Sequence, residues 1–168
     1  VNKVIDFKNL DILIADMFET MYQENGIGLA ANQVGQNLSL LVFDIGEYDE
    51  TQKINEDDDF IYKPKVFINP VIVESIGQCY MEEGCLSVPD IRAEVLRAET
   101  IVIKYEDINK VVHSERFMGL AARVLLHEID HLHGKFFTDY LSNSKRLIIQ
   151  KRLKEIAITG SPSTGIIL

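Results

Sequence analysis

Nowhere does this 168-residue sequence hold an apolar run of about 18 residues or more, the length that crosses a bilayer as a helix. A membrane protein is therefore not expected. Basic charge is also in short supply, with 17 Lys and Arg against 26 Asp and Glu and a formal net charge of -9. A general nucleic-acid binder needs a basic face to displace counterions from phosphates, so DNA is excluded as a partner. Cysteine is scarce, with only Cys79 and Cys85. Without a secretory context these two are free thiols or a metal ligand rather than a disulfide framework. The opening VNKVIDFKNL lacks the continuous apolar stretch of a signal peptide, and it begins on Val1 rather than Met, as a processed or shortened chain does.

What is present is the composition of a soluble globular protein, 46% hydrophobic and 26% charged, in a length suited to one domain. Much of the negative charge is local. EYDETQKINEDDD, residues 47–59, carries seven acids against one lysine and reads as a solvated loop insertion. It lacks the fixed carboxylate offsets and central glycine of a calcium loop.

Apolar residues Leu10, Leu13, Ile14, Met17, Phe18 and Met21 recur at helical spacing and predict a first helix that ends near Asn25-Gly26. Strand-like runs follow at LSLLVFDI, KVFINPVIV, GQCYM, TIVIKYED and VVHSERF, separated by Gly, Asn-Pro, Val-Pro-Asp and Asp-Ile-Asn turn signals. They predict a mixed, mostly antiparallel sheet. A second helix is expected from about Leu120 to His133, and a third over about Asn143 to Ala157 with Ile149, Leu153 and Ile156 inward. The last ten residues, 159–168, read as a turn-rich tail.

GIGLAANQVG, residues 26–35, fits the glycine spacing of a dinucleotide-binding turn. Such a turn must follow a strand and open a long helix, whereas these glycines follow a helix and lead within a few residues to a strand. The nucleotide reading fails on context.

The strongest chemical signal is HEIDH, residues 127–131. Residues four apart lie on one face of a helix, so His127 and His131 can reach one metal ion while Glu128 leans over its open position. A catalytic site usually takes a third protein ligand. The metzincin protease extension fails, because Phe137 stands where its third histidine belongs. His133, two after His131, points to another face, and His113 has no ligand-like neighbours. Cys85, in EGCLSVP beside the sterically permissive Gly84, is the remaining candidate. Cys79 reads as a small buried hydrophobe.

Taken together, GIGLAANQVG, EGCLS and HEIDH, in this order and spacing, resemble the three motifs of the peptide deformylase family. The resemblance spans most of the chain and implies an α+β fold, one catalytic domain over residues 1–168, and a sheet around a central HExxH helix flanked by N- and C-terminal helices. It implies a divalent metal, natively Fe2+ in many members, and removal of the formyl group from the formyl-methionine of new polypeptides. Zn2+, Ni2+ or Co2+ suit the same donor set. Carried over, Cys85, His127 and His131 hold the metal, Glu128 is the acid/base, and Gln33 and the Leu86 N–H hold the formyl oxygen. Gly28 and Gly84 admit the substrate backbone, and Ile27, Met81, Leu120 and Val124 are apolar candidates for a methionine pocket.

Two departures stand out: only VNKVIDFKN precedes the first helix, and the acidic insertion is longer than in the simplest members. A metal-dependent peptidase and a catalytically inactive binding relative are the rival readings; a closed structural zinc site lacks a fourth ligand. The expected partners are N-formyl-methionyl nascent peptides, in bacterial cytoplasm or an organelle; the basic helix SKRLIIQKRLKE, residues 144–155, reads either as an ordinary solvated face balancing the acidic loop or as a ribosome contact.

Overall fold

The computed structural model describes residues 1–46 and 63–159. The acidic stretch 47–59, expected as a solvated loop, and residues 160–168 of the expected tail lie outside the described residues.

The fold is organised by a helix that is apolar on nearly every side. GLAARVLLHEIDHL forms α2, Gly119–Leu132, and ten of its 14 residues are buried. A helix of that kind belongs in a core, and the polar residues it carries must then find partners inside. It starts at Gly119 with φ of 55°, a backbone conformation that strains any L side chain.

Five strands form one sheet beside α2: β1 (Gly28–Ala30), β2 (Leu40–Phe43), β3 (Lys65–Ile76), β6 (Thr100–Glu106) and β7 (Val112–Met118), in the order β1-β2-β3-β6-β7. A separate hairpin pairs β4 (Cys79–Cys85) with β5 (Val88–Arg97). All strand pairs among the described residues are antiparallel, and the parallel contribution is a single bridge between Asn2 and Leu38.

Alternation along β2 divides the core. Leu41 and Phe43 face α2, where they meet Phe67, Ile101, Ile103, Phe117, Val124 and Leu125. The Phe67 ring lies 4.4 to 6.1 Å from those of Tyr105, Phe117 and Phe43. Leu40 and Val42 face the other way, onto Leu10, Ile14, Met17 and Met21 of α1, Leu10–Gln23. A third cluster joins Cys85, Val88, Ile91 and Val95 of the hairpin to Phe137, and α3, Asn143–Thr159, covers it with Ile149, Leu153 and Ile156. The inward residues expected for that helix are thus the ones that dock.

Before α1 the chain is held by Asn69, whose amide oxygen accepts from Val4 N at 2.8 Å and whose Nδ2 donates to Val4 O at 2.9 Å. Asn69 has φ of 52° and sits where β3 shifts register against β6. Asparagine tolerates that conformation better than most residues, and here its side chain uses the kink to reach the N-terminal segment.

Two strands lie beyond what the sequence pattern predicts. β5 begins inside EGCLSVP and carries Pro89, so the Val-Pro-Asp turn signal falls within a strand. Pro89 is tolerated as the second residue of a strand that has a neighbour on one side only. β1 is three residues long, too short to show alternation, and is defined by its pairing with Leu41–Phe43. No helix among the described residues is long and apolar enough to cross a membrane.

Candidate functional site

Three donors converge where the hairpin crosses α2. Cys85 ends β4, and His127 and His131 lie one above the other on α2, so the Cys85 Sγ to His131 Nε2 and His131 Nε2 to His127 Nε2 distances are both 3.1 Å. All three residues are buried, with ligand atoms within 4.8 Å of one another. Cys85 pairs with Val88 in register, so Leu86 and Ser87 form a two-residue turn at the hairpin tip, beside the shift in register at Gly84.

The histidines are oriented from behind. His127 Nδ1 is 2.9 Å from Glu83 Oε2, so Nδ1 is the nitrogen that donates to the carboxylate and Nε2 is the one turned toward His131 and Cys85. His131 is tied on its far side to the Lys135 backbone. Glu83 itself is fully buried and accepts from Arg97 Nε at 2.6 Å, Arg97 Nη2 at 3.0 Å and Arg123 Nη1 at 2.7 Å. Arg97 continues to Asp130 Oδ2 at 2.5 Å, and Tyr140 donates to Asp130 Oδ1 at 3.0 Å. Phe137, which stands where a protease would have its third histidine, is fully buried and stacks 6.2 Å from the His127 ring.

These contacts decide the charges. Burial alone raises the Glu83 carboxyl, but hydrogen bonds from His127, Arg97 and Arg123 outweigh it and hold it at about 2. Burial disfavours a charged imidazole in both histidines. In His127 the contacts with Cys85 and Glu83 reverse this and push it up to about 10, while in His131 the positive His127 and Arg97 reinforce it and push it down to about 3. The protein therefore keeps one positive charge between a carboxylate and a sulfur, surroundings suited to a cation. Two separations of 3.1 Å, with all three ligand atoms within 4.8 Å of one another, suit bonds of about 2.0 to 2.3 Å to one divalent ion.

Glu128 lies beside this triad and forms no salt bridge among the described residues. Desolvation lifts its carboxyl to about 7 despite the nearby His127, and Oε2 is a buried oxygen without a hydrogen-bond partner among the described residues. Its approach is set by Gly28: a Cβ there would fall 2.8 Å from Glu128 Oε1 and from Val124 Cγ1. Gly28 thus serves the packing of β1 against α2 at the acid, a role distinct from the room for substrate backbone that the family resemblance implies. Gln33 follows on a 3-10 turn, Ala31–Val34, with Oε1 accepting from Ala30 N at 2.8 Å and Nε2 pointing at Ser87 Oγ, 3.2 Å, and Cys85 Sγ, 4.0 Å.

The apolar candidates are less tightly gathered. Ile27 and Leu120 lie half-buried against the central core, Val124 is buried in it, and Met81 is half-buried on β4 opposite Val95. Ile27 borders a cavity of about 270 Å³ with Tyr22, Asn25, Gly26 and Asp44. His133 caps its own helix through Ile129 O at 2.8 Å, and His113 pairs with Asp107 at 2.9 Å; neither joins the triad. Cys79 is not the buried hydrophobe expected of it. It is half-buried, and Arg123 Nη2 reaches both its carbonyl, 2.8 Å, and its sulfur, 3.5 Å.

Sequence reasoning assigns no role to Glu83, Arg97, Arg123, Asp130 or Asn32, whose Nδ2 donates to His131 O at 2.6 Å. One signal is present all the same. Arg123 stands four residues before His127, on the same face of a helix otherwise apolar, and such a cation implies a buried acid opposite.

A buried HExxH helix with a cysteine presented by an adjacent hairpin, in an α+β fold, defines a class: the metal-dependent hydrolases. Comparison with known proteins narrows it. The polypeptide deformylase family model matches residues 1–147. The peptide deformylase of Christiangramia forsetii is 41% identical over 155 residues, covering 90% of this chain and 79% of its own, and that of Chlorobaculum parvum is 49% identical over 144 residues, covering 86% and 73%. Among solved structures, a Legionella pneumophila peptide deformylase superposes with a TM-score of 0.79 at 40% identity, over 94% of this chain and 86% of that one. The chain belongs to the polypeptide deformylase family. Its activity is the family's, metal-dependent hydrolytic removal of the N-formyl group from nascent polypeptides.

The buried ion cluster yields a direct expectation. Glu83→Gln keeps the shape of the side chain but leaves Arg97 and Arg123 facing a neutral group, and breaking a buried ion pair costs about 3 to 5 kcal/mol. Urea unfolding of the variant is expected to record a loss of that size; a change below about 1 kcal/mol contradicts the cluster's structural role.

Proposed function

We propose that Cys85, His127 and His131 hold the divalent ion, Fe2+ natively, with Glu128, Gln33 and the Leu86 N–H as the reacting machinery. The observation that carries this reading is the convergence of three buried donor atoms within 4.8 Å beside a carboxylate oxygen that has no hydrogen-bond partner among the described residues. When bound, the ion supplies Lewis-acid chemistry that makes hydrolytic water reactive near neutral pH.

The chain's own residues account for the rest of the reaction. Glu128 accepts the proton of the attacking water and passes it to the leaving amine nitrogen, so the C–N bond of the formamide breaks to formate and a free N-terminus. Burial suits it to this, because desolvation outweighs the nearby positive charge of His127 and makes the carboxylate a stronger base. Gln33 Nε2 and the Leu86 N–H lie on the two chain segments that flank the triad, and donors there stabilise charge developing on the formyl oxygen; one such donor is typically worth about 3 kcal/mol. Ile27, Met81, Leu120 and Val124 offer an apolar wall for the methionine side chain, with Gly84 leaving room for backbone beside it and Gly28 letting β1 close on Glu128 and Val124. A peptidase reading loses its third histidine to the buried ring of Phe137, and an inactive relative has no reason to keep both Glu128 and Gln33.

Formyl-Met-Ala is the test substrate, with free amine as the product. Glu128→Ala is expected to retain stoichiometric metal and lose turnover by a factor of about 10² or more. In the cobalt-loaded protein a sulfur-to-metal charge-transfer band is expected to disappear in Cys85→Ser and persist in Cys79→Ser. Metal lost in step with activity in Glu128→Ala, or a band surviving in Cys85→Ser, contradicts the assignment.

A nascent-chain substrate also implies work near the ribosome, in bacterial cytoplasm or an organelle, and α3 is the basic element suited to approach RNA. Arg152 is engaged with Asp90 at 2.7 Å and Arg146 with Asp139 at 3.3 Å, so Lys145, Lys151 and Lys154, all exposed, are the better candidates. Reversing those three to Glu is expected to leave formyl-Met-Ala hydrolysis unchanged and to weaken co-sedimentation with ribosomes, more so at low salt. Unaltered sedimentation returns α3 to a purely structural role.

A further inference from the structure

Gln33 is useful as an oxyanion donor only if its amide is held the right way round with an N–H to spare. A primary amide offers one acceptor oxygen and two N–H donors. A backbone N–H can only donate, so the 2.8 Å contact from Ala30 N fixes Oε1 on that side and turns the NH2 group away from it. The NH2 group then has two directions. One proton goes to Ser87 Oγ at 3.2 Å, across the tip of the hairpin, and the other remains on the side of Cys85 Sγ, 4.0 Å from Nε2. Without the Ser87 contact, rotation about the last side-chain bond would be limited from one end only.

Resting on the reading of Gln33 as a donor to the formyl oxygen, we infer that Ser87 is a positioning residue: its hydroxyl takes one proton of the Gln33 amide so that the second faces the reaction site. Ser87 follows Cys85 by two residues in the turn that also carries the Leu86 N–H. The same short turn therefore supplies one donor and orients the other, which ties Gln33 on the sheet side of the site to the hairpin. Its exposure is compatible with this role, since the hydroxyl can accept from Gln33 while donating to solvent.

The test is a mutant cycle with a spectroscopic companion. Ser87→Ala, in an exposed turn, is expected to lower kcat for formyl-Met-Ala about fivefold, the size of one neutral hydrogen bond, with KM and bound metal unchanged. Ser87→Thr keeps the hydroxyl and is expected to restore the rate. In a Gln33→Ala background, adding Ser87→Ala should change kcat by less than about twofold, because the group it orients is gone. Independently of turnover, one side-chain amide proton of Gln33 in the 15N-labelled, zinc-loaded protein should exchange with solvent more slowly than its geminal partner, and Ser87→Ala should abolish the difference. Full activity in Ser87→Ala, or a fivefold loss that persists without Gln33, overturns the role of Ser87 while leaving the deformylase reading intact. A wild-type protein that releases no formate, or a Gln33→Ala variant as active as wild type, overturns the reading on which the role rests and the role with it.

Discussion

A fully buried carboxylate is the constraint on which this structure turns. Glu83 has lost all contact with water, and an ionised carboxylate in that position is tolerable only when opposite charges and hydrogen bonds surround it. Its partners come from two other elements: Arg97 on β5, and Arg123 and His127 on α2. Satisfying all of them at once leaves the hairpin one seat against the helix. Cys85 lies two residues along the same strand, so the contact that seats the hairpin also delivers a sulfur to the two imidazoles. The cost of burying one charge is thereby converted into geometry at the candidate metal centre.

A second close approach works from the opposite side. With no side chain at Gly28, β1 comes against Glu128 and Val124, and the turn that follows brings Gln33 to the hairpin tip. Asn32 adds a 2.6 Å bond to the carbonyl of His131, joining that turn to the helix that bears both histidines. The acid, the amide and the donor triad are thus positioned by three elements that touch one another, with little left to loop flexibility. For the roles proposed for Glu128 and Gln33 this matters, because preorganised donors and a desolvated base lower a hydrolytic barrier only if they are already in place when charge develops.

Much of this arrangement is legible in the amino-acid sequence, and the reason is spacing. HEIDH places two histidines four apart on a helix, and that relation is fixed by helical geometry alone; α1 and α2 declare themselves by apolar recurrence in the same way. The hairpin is harder to see. Cys79–Met81 has the look of a strand, but the rest of β4 and the start of β5 read as a chemical motif, and Pro89 disguises the return strand. Arg123 shares a helix face with His127 and still attracts no role, and Glu83 stands inside a motif whose chemistry centres on its neighbour Cys85. Ion clusters of this kind join residues 14 to 44 positions apart, and single-sequence reading has no handle on which acid meets which base. Gly28 stands out in the sequence for a reason other than the one found, since its neighbour Glu128 lies on a distant helix. The methionine pocket is the least defined part, because half-buried apolar residues at Ile27, Met81 and Leu120 serve a core and a binding wall equally well.

The central claim is that Glu83 fixes the protonation of His127, with the proton on Nδ1 and Nε2 free for the metal. Long-range 1H–15N correlation spectra of the histidine rings in the zinc-loaded protein test it directly. The account predicts a hydrogen-bonded proton on His127 Nδ1 and a metal-shifted, unprotonated Nε2. A proton on Nε2, or metal bound through Nδ1, would contradict it.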